Sequence, residues 1–132
     1  MSATAQAGVV LYVKDIERVA QFYAQVLGLQ VQHREPGWVV LASTAFQLEL
    51  HAIPADIAER IHISTPPQRR ENVALKFFVT VPSLADAGAI ADSLGGALLQ
   101  AAWAGPGFRA CNAVDCEGNV FQLREPAPAA PN

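Results

Sequence analysis

One short pattern is written twice in this chain. Val13, Asp15, Ile16, Phe22, Val26 and Gly28 recur as Val81, Ser83, Leu84, Ile90, Leu94 and Gly96 at a single constant offset. Phe46-Gln47-Leu48 recurs as Phe121-Gln122-Leu123 at a slightly larger offset, and the hairpin loops absorb the difference. Two copies of one unit imply a pseudo-symmetric pair of modules. Each copy reads strand, helix, then three strands. The expected architecture is therefore α+β: two βαβββ modules forming a cupped, partly closed sheet with helices outside. At 132 residues the length prior is one domain, 1–132, with modules over 8–52 and 72–125 joined by a linker, 53–71.

Local chemistry places the elements. Met1 to Ala7 reads as a loose arm, and the β-branched run Val9 to Val13 as a strand. Asp15 is a candidate N-cap because its carboxylate can accept the free N–H groups of a first turn. Ile16, Val19, Phe22, Tyr23, Val26 and Leu27 follow at helical spacing, with Gly28 where a left-handed cap falls. Strands are expected at Leu29–Arg34, Trp38–Ala42 and Ala45–His51. The linker, rich in proline, holds one helical turn around Asp56 to Arg60. In the second copy a strand is expected over Val73–Val81 and a capping box over Ser83-Leu84-Ala85-Asp86. A helix runs on to Gly95-Gly96, and strands follow at Ala97–Trp103, Phe108–Ala113 and Asn119–Arg124. Asp115-Cys116-Glu117-Gly118-Asn119 makes the last hairpin, with Gly118 able to take positive φ. The tail from Pro126 reads as frayed.

Strand alternation then sorts the side chains into two faces. Val9, Leu11 and Val13; Phe46, Leu48 and Leu50; Leu75, Phe77, Val79 and Val81; and Phe121 and Leu123 form the apolar sets that meet the helices. The opposite sets carry Tyr12, Gln47, Glu49, His51, Lys76, Phe78, Gln122 and Arg124. An apolar cup with a few polar groups has the composition of a small-molecule site. His33 shares a face with Leu29 and Val31, which reads as packing. Trp103 opens the loop Ala104-Gly105-Pro106-Gly107 and is either a stacking lid or core; Trp38 is open to the same two readings.

Charge and cysteine content exclude several functions. A net charge of −3 with only 16% charged residues argues against a nucleic-acid surface, which needs a concentrated row of cations. No apolar run reaches membrane-spanning length, and no secretory signal is evident. Cys111 and Cys116 match no metal-ligand spacing, so a reducing, cytoplasmic setting is expected.

The chain resembles the vicinal oxygen chelate superfamily, which includes glyoxalase I, extradiol dioxygenases, fosfomycin-resistance enzymes and bleomycin-resistance proteins. The resemblance runs from about Gly8 to Glu125. It rests on Val13-Lys14-Asp15 leading to Phe22-Tyr23 and Leu27-Gly28, on Leu48-Glu49-Leu50, and on Asp115 to Asn119 running into Phe121-Gln122-Leu123. It implies paired modules forming a cup, commonly in homodimers, and in the family's enzymes a divalent metal held at four cup positions. Carried over here, the first position is Gly8 and the third Lys76; the second is Glu49, or Gln47 if the internal repeat is the guide; the fourth is Gln122. A glycine and a lysine leave too few donors for a hard cation.

The expected function is a metal-free small-molecule-binding protein resembling bleomycin-resistance proteins, with no cofactor. It would hold a partly aromatic ligand among Tyr12, Gln47, Glu49, His51, Lys76, Phe78, Trp103, Gln122 and Arg124. Glu49 and Lys76 are read as an ion pair filling the vacant metal position, or else as an acid and base orienting a substrate. The incomplete ligand set argues against catalysis. The alternative is a metal-dependent glyoxalase- or dioxygenase-like enzyme with a non-standard site; a scaffold with a filled cup is a third reading. Expected partners are a small-molecule ligand and a second copy in a homodimer, with neither nucleic acid nor membrane.

Overall fold

The computed structural model describes residues 5–128; parts of the expected N-terminal arm and C-terminal tail (1–4 and 129–132) lie outside the described residues. The chain divides into two compact units between Ser64 and Thr65, inside the expected linker. Each unit has its own open sheet, so the α+β class and the two modules hold, and neither sheet is closed into a barrel.

The first unit runs β1 (Gly8–Val13), α1 (Ile16–Leu27), β2 (Gln30–Glu35), β3 (Trp38–Ala42), β4 (Gln47–Ala52) and a single turn α2 (Ala55–Ala58). Asp15 caps α1 by accepting from the Arg18 N–H at 3.2 Å. Gly28 ends the helix in the left-handed conformation, φ 68°, where a Cβ would be strained. The helix turns Val19, Phe22, Tyr23 and Val26 inward, onto Val39, Leu41, Leu48 and Leu50 of the sheet. Strand order is β1-β4-β3-β2, with β1 and β4 parallel and the other pairs antiparallel.

The second unit runs β5 (Phe78–Thr80), α3 (Leu84–Ser93), β6 (Ala97–Leu98), β7 (Trp103–Gly105), β8 (Phe108–Val114) and β9 (Val120–Pro126). Its sheet has the order β5-β9-β8-β6, with β7 also paired to β8. Ser83 caps α3 through the Asp86 N–H, and the Leu84 N–H donates to Glu125 Oε1 at 2.9 Å, so a carboxylate from β9 supports the same helix end. The left-handed residue after α3 is Gly95, φ 92°, not Gly96, and the helix ends at Ser93, two residues earlier than the repeat implies.

Four expectations are corrected. The strand over Val73–Val81 shrinks to Phe78–Thr80, and Leu75, expected to meet a helix, is 88% exposed. Residues 73–77 precede the ladder with β9 and so lack the alternation that a paired strand imposes. The segment 97–103 is not one strand; its two ends pair separately with β8. Trp103 is a strand residue, not the opening of a loop lid: β7 and β8 form a hairpin turning at Pro106-Gly107. Pro126, expected in the frayed tail, pairs with Phe108 at the end of β9.

The Asp115–Asn119 hairpin forms as expected and is rigidly held. Asp115 is fully buried; Oδ1 accepts from the Glu117 and Asn119 N–H groups, and Oδ2 from Asn119 Nδ2. Gly118, φ 93°, is required twice over, because an added Cβ would also stand 2.1 Å from the Gln68 carbonyl oxygen. The Arg70 N–H donates to the Gly118 carbonyl, which ties residues 68–70 to the hairpin.

Candidate functional site

Each unit leaves one sheet face free of its helix, and the candidate residues stand on these two faces. In the first unit the register aligns Tyr12 with His51 and His51 with Trp38 across β1, β4 and β3. Their rings form a row: Tyr12 to His51 at 5.5 Å, His51 to Trp38 at 6.1 Å, and Trp38 to His33 at 4.6 Å between centroids. Beneath the row lies Glu49, whose Oε1 accepts from Trp38 Nε1 at 2.8 Å and from His51 Nε2 at 3.0 Å. An ionised carboxylate only accepts, so His51 carries its proton on Nε2. Glu49 Oε2 has no hydrogen-bond partner among the described residues. Gln47 stands two residues along on the same face, with Nε2 at 3.5 Å from Gln32 Oε1. Ala5 to Val10, Gln47 and Glu49 line a hollow of about 280 Å³.

Two members of this row were not read as site residues. Trp38, open to both a core and a site reading, has a partly exposed indole whose N–H is the hydrogen-bond donor that orients Glu49. The expectation that His33 packs with Leu29 and Val31 fails on the register. A bulge between Val31 and His33 inserts one residue, so His33 pairs with Val40 and turns to the Glu49 face. A one-residue insertion reverses every side chain beyond it, and no local pattern in β2 announces it. His33 Nε2 meets Glu35 Oε1 at 2.8 Å.

In the second unit Phe78, Gln122 and Asn112 share one row across β5, β9 and β8; Thr80, Arg124, Ala110 and Trp103 share the next. The Arg124 guanidinium lies 3.6 Å from the centroid of Phe78 and 4.0 Å from that of Phe108. Its Nε donates to Gln122 Oε1 at 2.7 Å. Lys76 Nζ donates to Asn112 Oδ1 at 3.2 Å and, with Arg69, Arg70, Leu99 and Gln100, lines a cleft of about 440 Å³. Phe77, by contrast, stacks on the buried Phe121. Phe108 and Asn112 were not read as site residues, although alternation along β8 from the buried Cys111 could have found Asn112.

The register also resolves the choice between Gln47 and Glu49. Glu49 stands opposite Val10 and Val40, as Gln122 stands opposite Phe78 and Asn112. Since Val10 and Phe78 keep the offset of the first repeated motif, Glu49 is the counterpart of Gln122, and His51 of Arg124. The Phe-Gln-Leu likeness is out of step with the sheets by two residues, a slip that preserves the face.

A model of the glyoxalase-like domain family matches residues 8–124. The chain belongs to that family. It thus falls in the vicinal oxygen chelate superfamily, as its motifs imply. A glyoxalase/bleomycin resistance protein/dioxygenase family enzyme from Burkholderia phytofirmans PsJN superposes with TM-score 0.70 at 19% identity, over 94% of this chain and 100% of that one. A glyoxalase-related enzyme from Fulvimarina pelagi gives 0.61 at 18%, over 100% and 96%. A glyoxalase I mutant from Zea mays gives 0.63 at 21%, over 89% of this chain and 44% of that one. At these identities the likeness is one of fold. No curated protein matches the chain.

The superfamily's metal can be tested against the residues at its four positions, and they do not fit it. Gly8 offers no donor, and a side chain could not be added without moving the backbone, because a Cβ would stand 2.3 Å from the Gln47 carbonyl oxygen. Lys76 is a cation. Gln122 Oε1 is engaged by Arg124. Among the described residues no three His, Cys, Asp or Glu side chains converge as a ligand set.

Proposed function

We propose that this glyoxalase-like protein is a metal-free binder of a small, partly aromatic molecule, in the manner of bleomycin-resistance proteins and without a cofactor. One observation carries the reading. At three of the superfamily's four metal positions stand a glycine wedged against a carbonyl, a lysine, and an amide oxygen already bonded to Arg124. Meanwhile the open faces keep aromatic surface beside oriented polar groups: Tyr12, Gln47, Glu49 and His51 on one, Lys76, Phe78, Trp103, Gln122 and Arg124 on the other. Rings with few rotatable bonds beside fixed donors and acceptors bind with little ordering cost.

The same proposal extends to setting and partners. Cys111 and Cys116 are both buried thiols, which suits a reducing cytoplasm, and the ring-bearing edge strand β1 gives a second copy a surface to cover. The protein acts as a homodimer, with neither nucleic acid nor membrane as partner; among the described residues no helix is long and apolar enough to cross a membrane.

Elemental analysis of protein purified without chelators tests the central claim. The expected result is no stoichiometric divalent metal. About one Zn, Ni, Mn or Fe per chain, lost in Glu49→Ala, would replace this reading with the metal-dependent enzyme. Light scattering at micromolar concentration should give a dimer mass, and a monomer removes that part.

A further inference from the structure

Arg124 is held more tightly than packing requires. Phe78 and Phe108 cover the guanidinium, and Gln122 takes its Nε–H. These three contacts restrain the group. Its two terminal amino groups donate to nothing among the described residues. A guanidinium stacked on rings and engaged at Nε presents one remaining edge, the parallel pair of N–H bonds on Nη1 and Nη2. That fork matches the two oxygens of a carboxylate.

The surroundings agree with this. Reading across the sheet, Arg124 has Thr80, Ala110 and Trp103 in its row, and Phe78, Gln122 and Asn112 in the row before it. No carboxylate stands in either row. The nearest one in sequence, Glu125, points to the other face and accepts from the Leu84 N–H. Lys76, bonded to Asn112, adds a second positive charge to the same face. Phe78, Phe108 and Trp103 supply apolar surface for the body of a ligand.

We propose that Arg124 is a carboxylate-binding residue: its Nη1–Nη2 edge takes the carboxylate of a planar or aromatic ligand. Lys76 strengthens the local field. The inference deepens the binding function proposed above by naming a chemical class, and its test does not depend on metal content.

The test uses the full chain and three probes: benzoate, benzamide and inorganic phosphate. Titrations by calorimetry, with the Arg124 Nε–H resonance followed by NMR, are run on wild type, Arg124→Lys, Arg124→Gln and Arg109→Gln. Arg109 is exposed and on the opposite side of β8, so it controls for loss of one charge. Benzoate should bind wild type and shift the Nε–H resonance. Arg124→Gln should weaken benzoate about tenfold or more, Arg124→Lys by less, and Arg109→Gln hardly at all. Benzamide, isosteric but neutral, should not bind. If Arg124→Gln fails to fold, Arg124→Lys decides, since it keeps the charge and loses the fork. The proposal is overturned if wild type binds no benzoate, or if Arg124→Lys binds it as tightly as wild type. Phosphate binding as tightly as benzoate, or equal losses from Arg109→Gln and Arg124→Gln, would also overturn it. A stoichiometric metal would end the metal-free reading and leave these titrations to judge Arg124 separately.

Discussion

The open faces of the two units use one device with opposite electrostatics. In each, an acceptor on the last strand takes a hydrogen bond from the residue two positions on: Glu49 from His51, Gln122 from Arg124. In each, that second residue lies against aromatic rings: His51 against Tyr12 and Trp38, Arg124 against Phe78 and Phe108. In the first unit the acceptor is a carboxylate with one oxygen to spare, and in the second it is a neutral amide beside a guanidinium. The rings also come from different stations, since Tyr12 is the register counterpart of Thr80 and Trp38 of Ala110. Duplicated geometry has thus been kept while the charge presented by each face has diverged.

The largest effect expected concerns the core beneath the second unit's open face. Phe121→Ala, at a fully buried ring, should cost about 3–5 kcal/mol of stability, and Leu75→Ala, at an exposed side chain, under about 0.5 kcal/mol. Chemical denaturation gives both values. Equal costs would mean that Leu75 joins the core and that the repeat extends over Val73–Phe77 after all.

A second contrast lies in the hairpins that precede the two final strands. Asp115 accepts three hydrogen bonds while buried, so Asp115→Ala should cost about 3 kcal/mol. In the other hairpin Ser43 Oγ accepts from the Ala45 N–H, exposed and at 3.4 Å, and Ser43→Ala should cost about 0.5 kcal/mol or less. Amide exchange at Glu117 and Asn119 should quicken in the first variant alone.

Neighbouring phenylalanines separate face from core. Phe77→Ala removes a ring stacked on Phe121 and should cost about 2 kcal/mol without altering benzoate affinity. Phe78→Ala uncovers one side of Arg124 and should weaken benzoate several-fold, with a stability change of about 1 kcal/mol. The reverse pattern would put the site on the other face of β5.

The smallest effect tests the first unit's acceptor. Trp38→Phe keeps an aromatic ring and deletes the donor to Glu49, so it should cost about 1 kcal/mol and leave the His51–Glu49 bond as the carboxylate's remaining tie. A His51 Nε2–H resonance unchanged between wild type and variant would show that the two donors are not coupled through Oε1.

What the sequence determined by itself is whatever depends on neighbours along the chain. Asp15 and Ser83 cap helices because each side chain reaches an N–H three residues on. Gly28 and Gly118 take positive φ where the turn demands it, and alternation put Leu48 and Phe121 inside with Glu49 and Gln122 outside. The repeat likewise identified two modules, and the resemblance of motifs such as Asp115 to Asn119 implied the family. What only the tertiary structure decided depends on pairing between strands. The bulge that turns His33 outward, the two-residue slip between the Phe-Gln-Leu likeness and the true counterparts, the late start of the strand at Phe78 and the clasp on Arg124 are all of this kind. Each is fixed by which residue lies across from which. A period of two reports the face of a residue and is blind to its partner, because every register that differs by an even number of residues gives the same alternation.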